Sequence, residues 1–178
     1  MQGPDDQIMS WIDDHRVSWI TSLTTWLMDV GTDHVVLALA GLAFAGLVVW
    51  QRAWRVGIST IWAALTAGQI SDVLKERFER PRPAFPDALI QTDGWAMPSS
   101  HSSVLAAASV TFVCVIAWTS TRARVWMSVL LALGATLIGL AMVYLGAHWP
   151  TDVLAGWVLG GAIGAGFGFV FKPREPSA

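Results

Sequence analysis

The stretch VWMSVLLALGATLIGLAMVYLGA, Val125 to Ala147, carries no charged residue and is longer than the ~20 residues a helix needs to cross a bilayer. Arg122 and Arg124 stand just before it and His148 directly after it. A run of this length and apolarity exceeds any ordinary strand, so it sets the fold class as helical and the solvent as lipid. Working outward, Val35–Trp50, Val56–Leu74, Val104–Trp118 and Val153–Phe171 are runs of the same kind, several short enough to need flanking residues at the interface. Val17–Val30 is apolar but richer in Ser and Thr, and is read as a further span. The expectation is an all-α integral membrane bundle of six transmembrane helices, forming one domain over residues 1–178.

Composition agrees with that reading. Hydrophobic residues make up 54% and charged residues only 13%, against roughly 25% charged in an average soluble domain. The mean hydropathy is +0.52. A net charge of −2 with no basic stripe argues against nucleic acid as a partner. The single cysteine, Cys114, rules out an intramolecular disulfide and any zinc or iron–sulfur site built on several thiolates. Met1–Asp6 lack the basic and apolar regions of a secretory signal, so the first span is expected to direct insertion. The oligomeric state is left open.

Ahead of that span, Ile8, Trp11 and Ile12 recur at helical spacing, while Asp5, Asp6, Asp13 and Asp14 occupy other positions. This pattern suits an amphipathic interfacial segment over residues 1–16, or equally a solvated helix packed on the bundle. Arg52 and Arg55, Arg122 and Arg124, and Lys172 and Arg174 follow alternate spans and place those ends, with the tail 172–178, in the cytoplasm. The other connections, 31–34, 75–103 and 146–152, then face outward, with Asp33 expected as a helix cap. Trp50, Trp54, Trp118, Trp126 and Trp149 fall at span ends and read as interface anchors. Gly156, Gly160, Gly164 and Gly168 form a stripe for close helix packing.

Three polar patches remain, all in the outward connections: Lys75 to Arg82-Pro83, Pro98-Ser99-Ser100-His101, and His148 to Asp152. The Lys75–Arg82 segment is basic on the face where cations are scarce, and binding an anion is a sufficient reason. Pro98-Ser99 should open a helix whose free N–H groups point at that anion. Asp152, four residues after His148, can fix the imidazole's tautomer and stabilise its protonated form. Glu76 and Glu79 read as part of a solvated loop with internal ion pairs, whereas Arg77 and Arg80 are open to either role.

Together the patches resemble the type 2 phosphatidic acid phosphatase superfamily. Its pattern is Lys, six residues, Arg-Pro; then Pro-Ser-Gly-His; then Ser-Arg, five residues, His, three residues, Asp. The match is direct at Lys75, Arg82-Pro83, Pro98-Ser99, His101, His148 and Asp152. Ser100 stands where the family has glycine, and Ala141-Met142 where it has Ser-Arg. The resemblance implies a lipid phosphatase that needs no metal or cofactor. His148 would be the nucleophile, Asp152 its orienting partner and His101 the general acid. Lys75, Arg82, Ser99 and Ser100 would hold the phosphate. Eligible substrates are polyprenyl phosphates and diphosphates, phosphatidic acid and phosphatidylglycerol phosphate. Met142 removes one expected cation, which Arg77 or Arg80 could replace. A protein that binds or carries a lipid phosphate with weakened turnover is the alternative.

Overall fold

The computed structural model describes residues 3–32, 34–84, 88–90 and 92–172. The cap expected at Asp33 and most of the tail, Arg174 included, lie outside the described residues. Those described form seven helices and no strand: α1 (Pro4–Asp14), α2 (Ser18–Thr32), α3 (His34–Trp50), α4 (Trp54–Phe78), α5 (Ser100–Val115), α6 (Thr121–Tyr144) and α7 (Pro150–Phe171). By length and apolarity alone, α6 and α7 qualify as membrane spans, with mean hydropathies of 2.1 and 1.8. The flanks of α2, α3, α4, α6 and α7 leave large apolar side chains bare, among them Leu42, Trp62, Leu130 and Val158. Lipid is the solvent that makes such flanks stable.

Helix starts follow local chemistry. The Ser99 hydroxyl accepts from Ser102 N–H (3.4 Å) at the head of α5, and the Ser120 hydroxyl from Ala123 N–H (3.1 Å) at the head of α6. In α7, Pro150 takes the first position, where a missing N–H costs nothing. The Asp152 carboxylate folds back to accept from Trp149 N–H at 2.9 Å. Helix α4 runs past Lys75 to Phe78, so part of the expected loop is helical; Glu79, at φ 46°, then turns the chain. Glu76, Arg77 and Glu79 are exposed there.

The centre is the trio α4, α5 and α7. Along α7 the glycine stripe faces α5 so closely that a Cβ on Gly160 would sit 2.1 Å from the Ser103 carbonyl oxygen. Only glycine permits that approach. Arg55, in the first turn of α4, donates to the carbonyls of Phe171 (2.9 Å) and Lys172 (3.0 Å). The start of α4 therefore lies beside the end of α7, and the end of α4 beside the start of α7.

Helix α1 packs on the bundle. Fully buried Met9 sits against Val143 and Val153, with Ile12, Trp149 and Trp157 around it, while Trp11 remains 60% exposed. The Tyr144 hydroxyl accepts from Val17 N–H at 2.9 Å and pins the turn after α1. One expectation fails here. Asp5 does not lie on a solvated face but is turned into the protein, 8% exposed.

Candidate functional site

The three patches meet where α4 ends and α5 and α7 begin. Ser99 N–H donates to the Asp152 carbonyl at 3.0 Å, tying the second patch to the third. Gly146, at φ 74°, reverses the chain after α6 and delivers His148 to the mouth of the site; a side chain at that φ would be strained. Arg82 crosses above, donating from Nε to the Gly94 carbonyl (3.0 Å) and from Nη1 to that of Ala147 (2.6 Å). Its Nη1 also lies 3.3 Å from His148 Nε2.

His148 is buried, at 4% exposure, and Asp152 is fully so. Asp152 Oδ2 stands 3.6 Å from His148 Nδ1, within ion-pair range but slightly too long for a hydrogen bond. Nδ1 has no hydrogen-bond partner among the described residues. An N–H at Nδ1 would face the carboxylate and leave the Nε2 lone pair toward Arg82 and the open site. Burial pushes the His148 pKa below the ordinary imidazole value, and nearby Arg82 and Lys75 act the same way against the opposing pull of Asp152. The resting imidazole is thus biased to its neutral form.

His101 occupies the first turn of α5 and is exposed. It stands near enough to His148, Lys75 and Arg82 for their charges to act on it. Half-buried Lys75 lies beside Arg82, with Asp72 Oδ1 at 3.9 Å from its Nζ and Asp152 close enough to act on its charge. These groups form a pocket of positive potential. A phosphate dianion entering it would meet complementary charge.

The two serines are differently placed. Ser99 is fully buried, capping α5 and donating to Met142 Sδ at 3.6 Å. Ser100 donates to Asp72 Oδ1 at 3.2 Å. The N–H groups of Ser100 and His101 precede the first bond of the helix ladder, made by Ser103 N–H to the Ser99 carbonyl, which suits them to an anion. Met142 is 1% exposed, and no cation occupies its position.

Arg80 does not take the place of the missing cation. Its Nη1 donates to Asp152 Oδ1 (2.6 Å) and Thr151 Oγ1 (2.7 Å), and its Nη2 to Asp5 Oδ2 (2.6 Å). It lies 5.4 Å from the ring centre of Trp149, whose Nε1 donates to the Pro81 carbonyl at 2.9 Å. Trp149 is therefore a clamp on the Arg80–Arg82 segment rather than only an interface anchor. Arg77 is exposed.

Sequence reasoning named Lys75, Arg82, His101, His148 and Asp152 but missed Asp72, Thr151 and Asp5. For Asp5 a signal existed: it shares a helical face with Met9 and Ile12, which are both packed against the bundle.

The description "PAP2 superfamily" belongs to the family model that matches residues 56–174. The chain belongs to that superfamily. Two curated relatives extend the match. Over 164 residues the chain is 28% identical to the undecaprenyl-diphosphatase of Sulfolobus acidocaldarius, covering 89% of this chain and 74% of the relative. Over 152 residues it is 31% identical to phosphatidylglycerophosphatase B of Bacillus subtilis, covering 82% and 72%. The crystal structure of the PAP2-type phosphatidylglycerolphosphate phosphatase of Bacillus subtilis superposes with a TM-score of 0.81 at 25% identity, over 93% of this chain and 83% of that one. The relatives carry phosphatase names, and this PAP2 chain is a membrane hydrolase of that kind.

Proposed function

We propose that this PAP2 protein cleaves a phosphomonoester or pyrophosphate from a membrane lipid on the extracytoplasmic face, through a phosphohistidine at His148. The observation that carries the reading is the meeting of Lys75, Arg82, His101, His148 and Asp152, drawn from separate parts of the chain, at one end of an apolar bundle. Helices α2 to α7 would be the six spans. Arg52, Arg55, Arg122, Arg124 and Lys172 gather at the opposite end, which supports a cytoplasmic C-terminus.

Lys75, Arg82, Ser100 and the first N–H groups of α5 hold the phosphoryl oxygens, with Ser99 setting the helix start. Arg82 moves from His148 Nε2 to a phosphate oxygen as substrate enters. The Nε2 lone pair then forms a bond to phosphorus, and the ester P–O bond breaks with its electrons on the leaving oxygen. His101 protonates that oxygen, while Asp152 balances the charge on the imidazole at Nδ1–H. Water next attacks phosphorus and gives a proton to His101, and the N–P electrons return to His148 as orthophosphate leaves. Charge is stabilised by Lys75, the repositioned Arg82 and the dipoles of the first N–H groups of α5.

The names of the relatives make undecaprenyl diphosphate and phosphatidylglycerol phosphate the first substrates to try, with phosphatidic acid third. Phosphate release in detergent should be seen with at least one of them, should vanish in His148→Ala and should survive a chelator. Equal release by the parent and His148→Ala would overturn the reading.

A further inference from the structure

Asp152 has two faces, and only one of them serves His148. Its Oδ2 accepts from Trp149 N–H and faces His148 Nδ1, whereas Oδ1 accepts from Arg80 at 2.6 Å. Arg80 in turn is shared with Asp5 of α1, and Thr151 joins all three. Thr151 N–H donates to Asp5 Oδ1 at 3.2 Å, its hydroxyl donates to Asp5 Oδ2, and the same hydroxyl accepts from Arg80. Side-chain exposures of 11% for Asp5 and 27% for Arg80 leave little water to screen the pair.

We infer that Asp5 and Arg80 are positioning residues that set the charge behind the nucleophile, which makes α1 a working part of the site. Asp152 alone would give His148 a full negative charge; Arg80 alone would nearly cancel it; Asp5 restores it. The trio Asp5, Arg80 and Asp152 thus presents one net negative charge, held in place at both ends. Hydrogen bonds from Thr151 and Arg80 overcome the opposing effect of burial and keep the Asp5 pKa below the ordinary carboxylate value. Asp5 is therefore charged wherever the enzyme would work. It lies outside the segment matched by the family model, while Arg80, Thr151 and Asp152 lie inside it.

The other ionisable groups facing His148 are Lys75 on α4, Arg82 in the following connection and His101 on α5; α6 contributes uncharged Met142. These stay constant when the trio is altered, so its net charge can be stepped one unit at a time. Asp5→Asn leaves no net charge, Arg80→Gln leaves two negative charges, and the double variant returns to one.

The inference rests on His148 being the nucleophile. The test is the pH dependence of kcat/KM for phosphate release in the parent, the two single variants and the double variant, on proteins shown to be folded by thermal unfolding in detergent. Protonation of His148 sets the acidic limb. Asp5→Asn should move that limb down by about 0.5–1 pH unit and lower kcat about tenfold with KM nearly unchanged. Arg80→Gln should move it up by a similar amount, and the double variant should return it close to the parent. A limb at the same pH in all four proteins, or a double variant displaced as far as Asp5→Asn, would overturn the inference. Any two folded members that differ by one charge suffice. Acylation of His148 by diethyl pyrocarbonate against pH, resolved by mass spectrometry, reads the same ordering without turnover. If the parent released no more phosphate than His148→Ala, the phosphatase reading would fail, while the acylation series would still decide whether Asp5 and Arg80 tune His148.

Discussion

Two apolar helices in this molecule, α7 and α3, both carry glycines and use them oppositely. In α7, a Cβ at Gly156, Gly160 or Gly164 would strike the carbonyl oxygens of Ser99, Ser103 or Ala107 at 2.6, 2.1 and 2.7 Å. In α3, a Cβ at Gly41 or Gly46 would meet nothing within 4 Å. Both helices are apolar and sit in a membrane protein. The α5–α7 pair touches backbone to backbone and holds the candidate site at one end, with Ser99 N–H on the Asp152 carbonyl as its last link. Small shifts along that pair would separate the second patch from the third; nothing comparable hangs on α3.

The largest effect should come at the functional end of the tight pair. His148→Ala is expected to lower phosphate release by at least about 10³-fold while the protein stays folded, since His148 lies in the connection between α6 and α7 and not in a packed helix. Gly160→Ala should come next, costing about 3 kcal/mol of stability through backbone overpacking, read by thermal unfolding in detergent. A loss no greater than that of Gly46→Ala would dissolve the contrast.

Met142→Arg tests the same end from the other direction. Arg80 is committed to Asp5 and Asp152, so a cation at position 142 should add transition-state stabilisation and raise kcat about tenfold. Unchanged turnover in a folded variant would show that Lys75 and Arg82 suffice.

Acidification gives a smaller, graded response. The folded protein holds His148 below the ordinary imidazole pKa, so the unfolded chain gains its proton first. The stability associated with its neutral form is complete above about pH 6.5 and is lost as pH falls toward the folded-state value. Thermal unfolding followed from pH 7.5 down to about 5 should show this fall, and His148→Asn should flatten it. Smallest of all, Gly46→Ala should change stability by under about 1 kcal/mol, in the stabilising direction.

The motif residues were legible because each carries its chemistry locally. A Lys–Arg-Pro segment, a proline–serine helix start and a His–Asp pair four apart are recognisable without a fold. Apolar runs likewise marked α3 to α7, although Lys75 proved to be helical rather than the start of a loop. Arg80 could be seen as a cation but not assigned, because nothing nearby in sequence says that its partners are 75 and 72 residues away.

What the sequence determined by itself is therefore the class: an apolar helical chain with a phosphate-type site at one end. Hydrophobicity and local spacing are properties of neighbours in the chain, and they survive without coordinates. The tertiary structure decided how the charges are shared. It turned Asp5 inward beside Met9, gave Arg80 to two carboxylates, sent the Ser99 hydroxyl to Met142 and brought Arg82 against Nε2 of His148. Electrostatic partnership depends on distances between remote segments, and those distances exist only once α1, α4, α5 and α7 have packed.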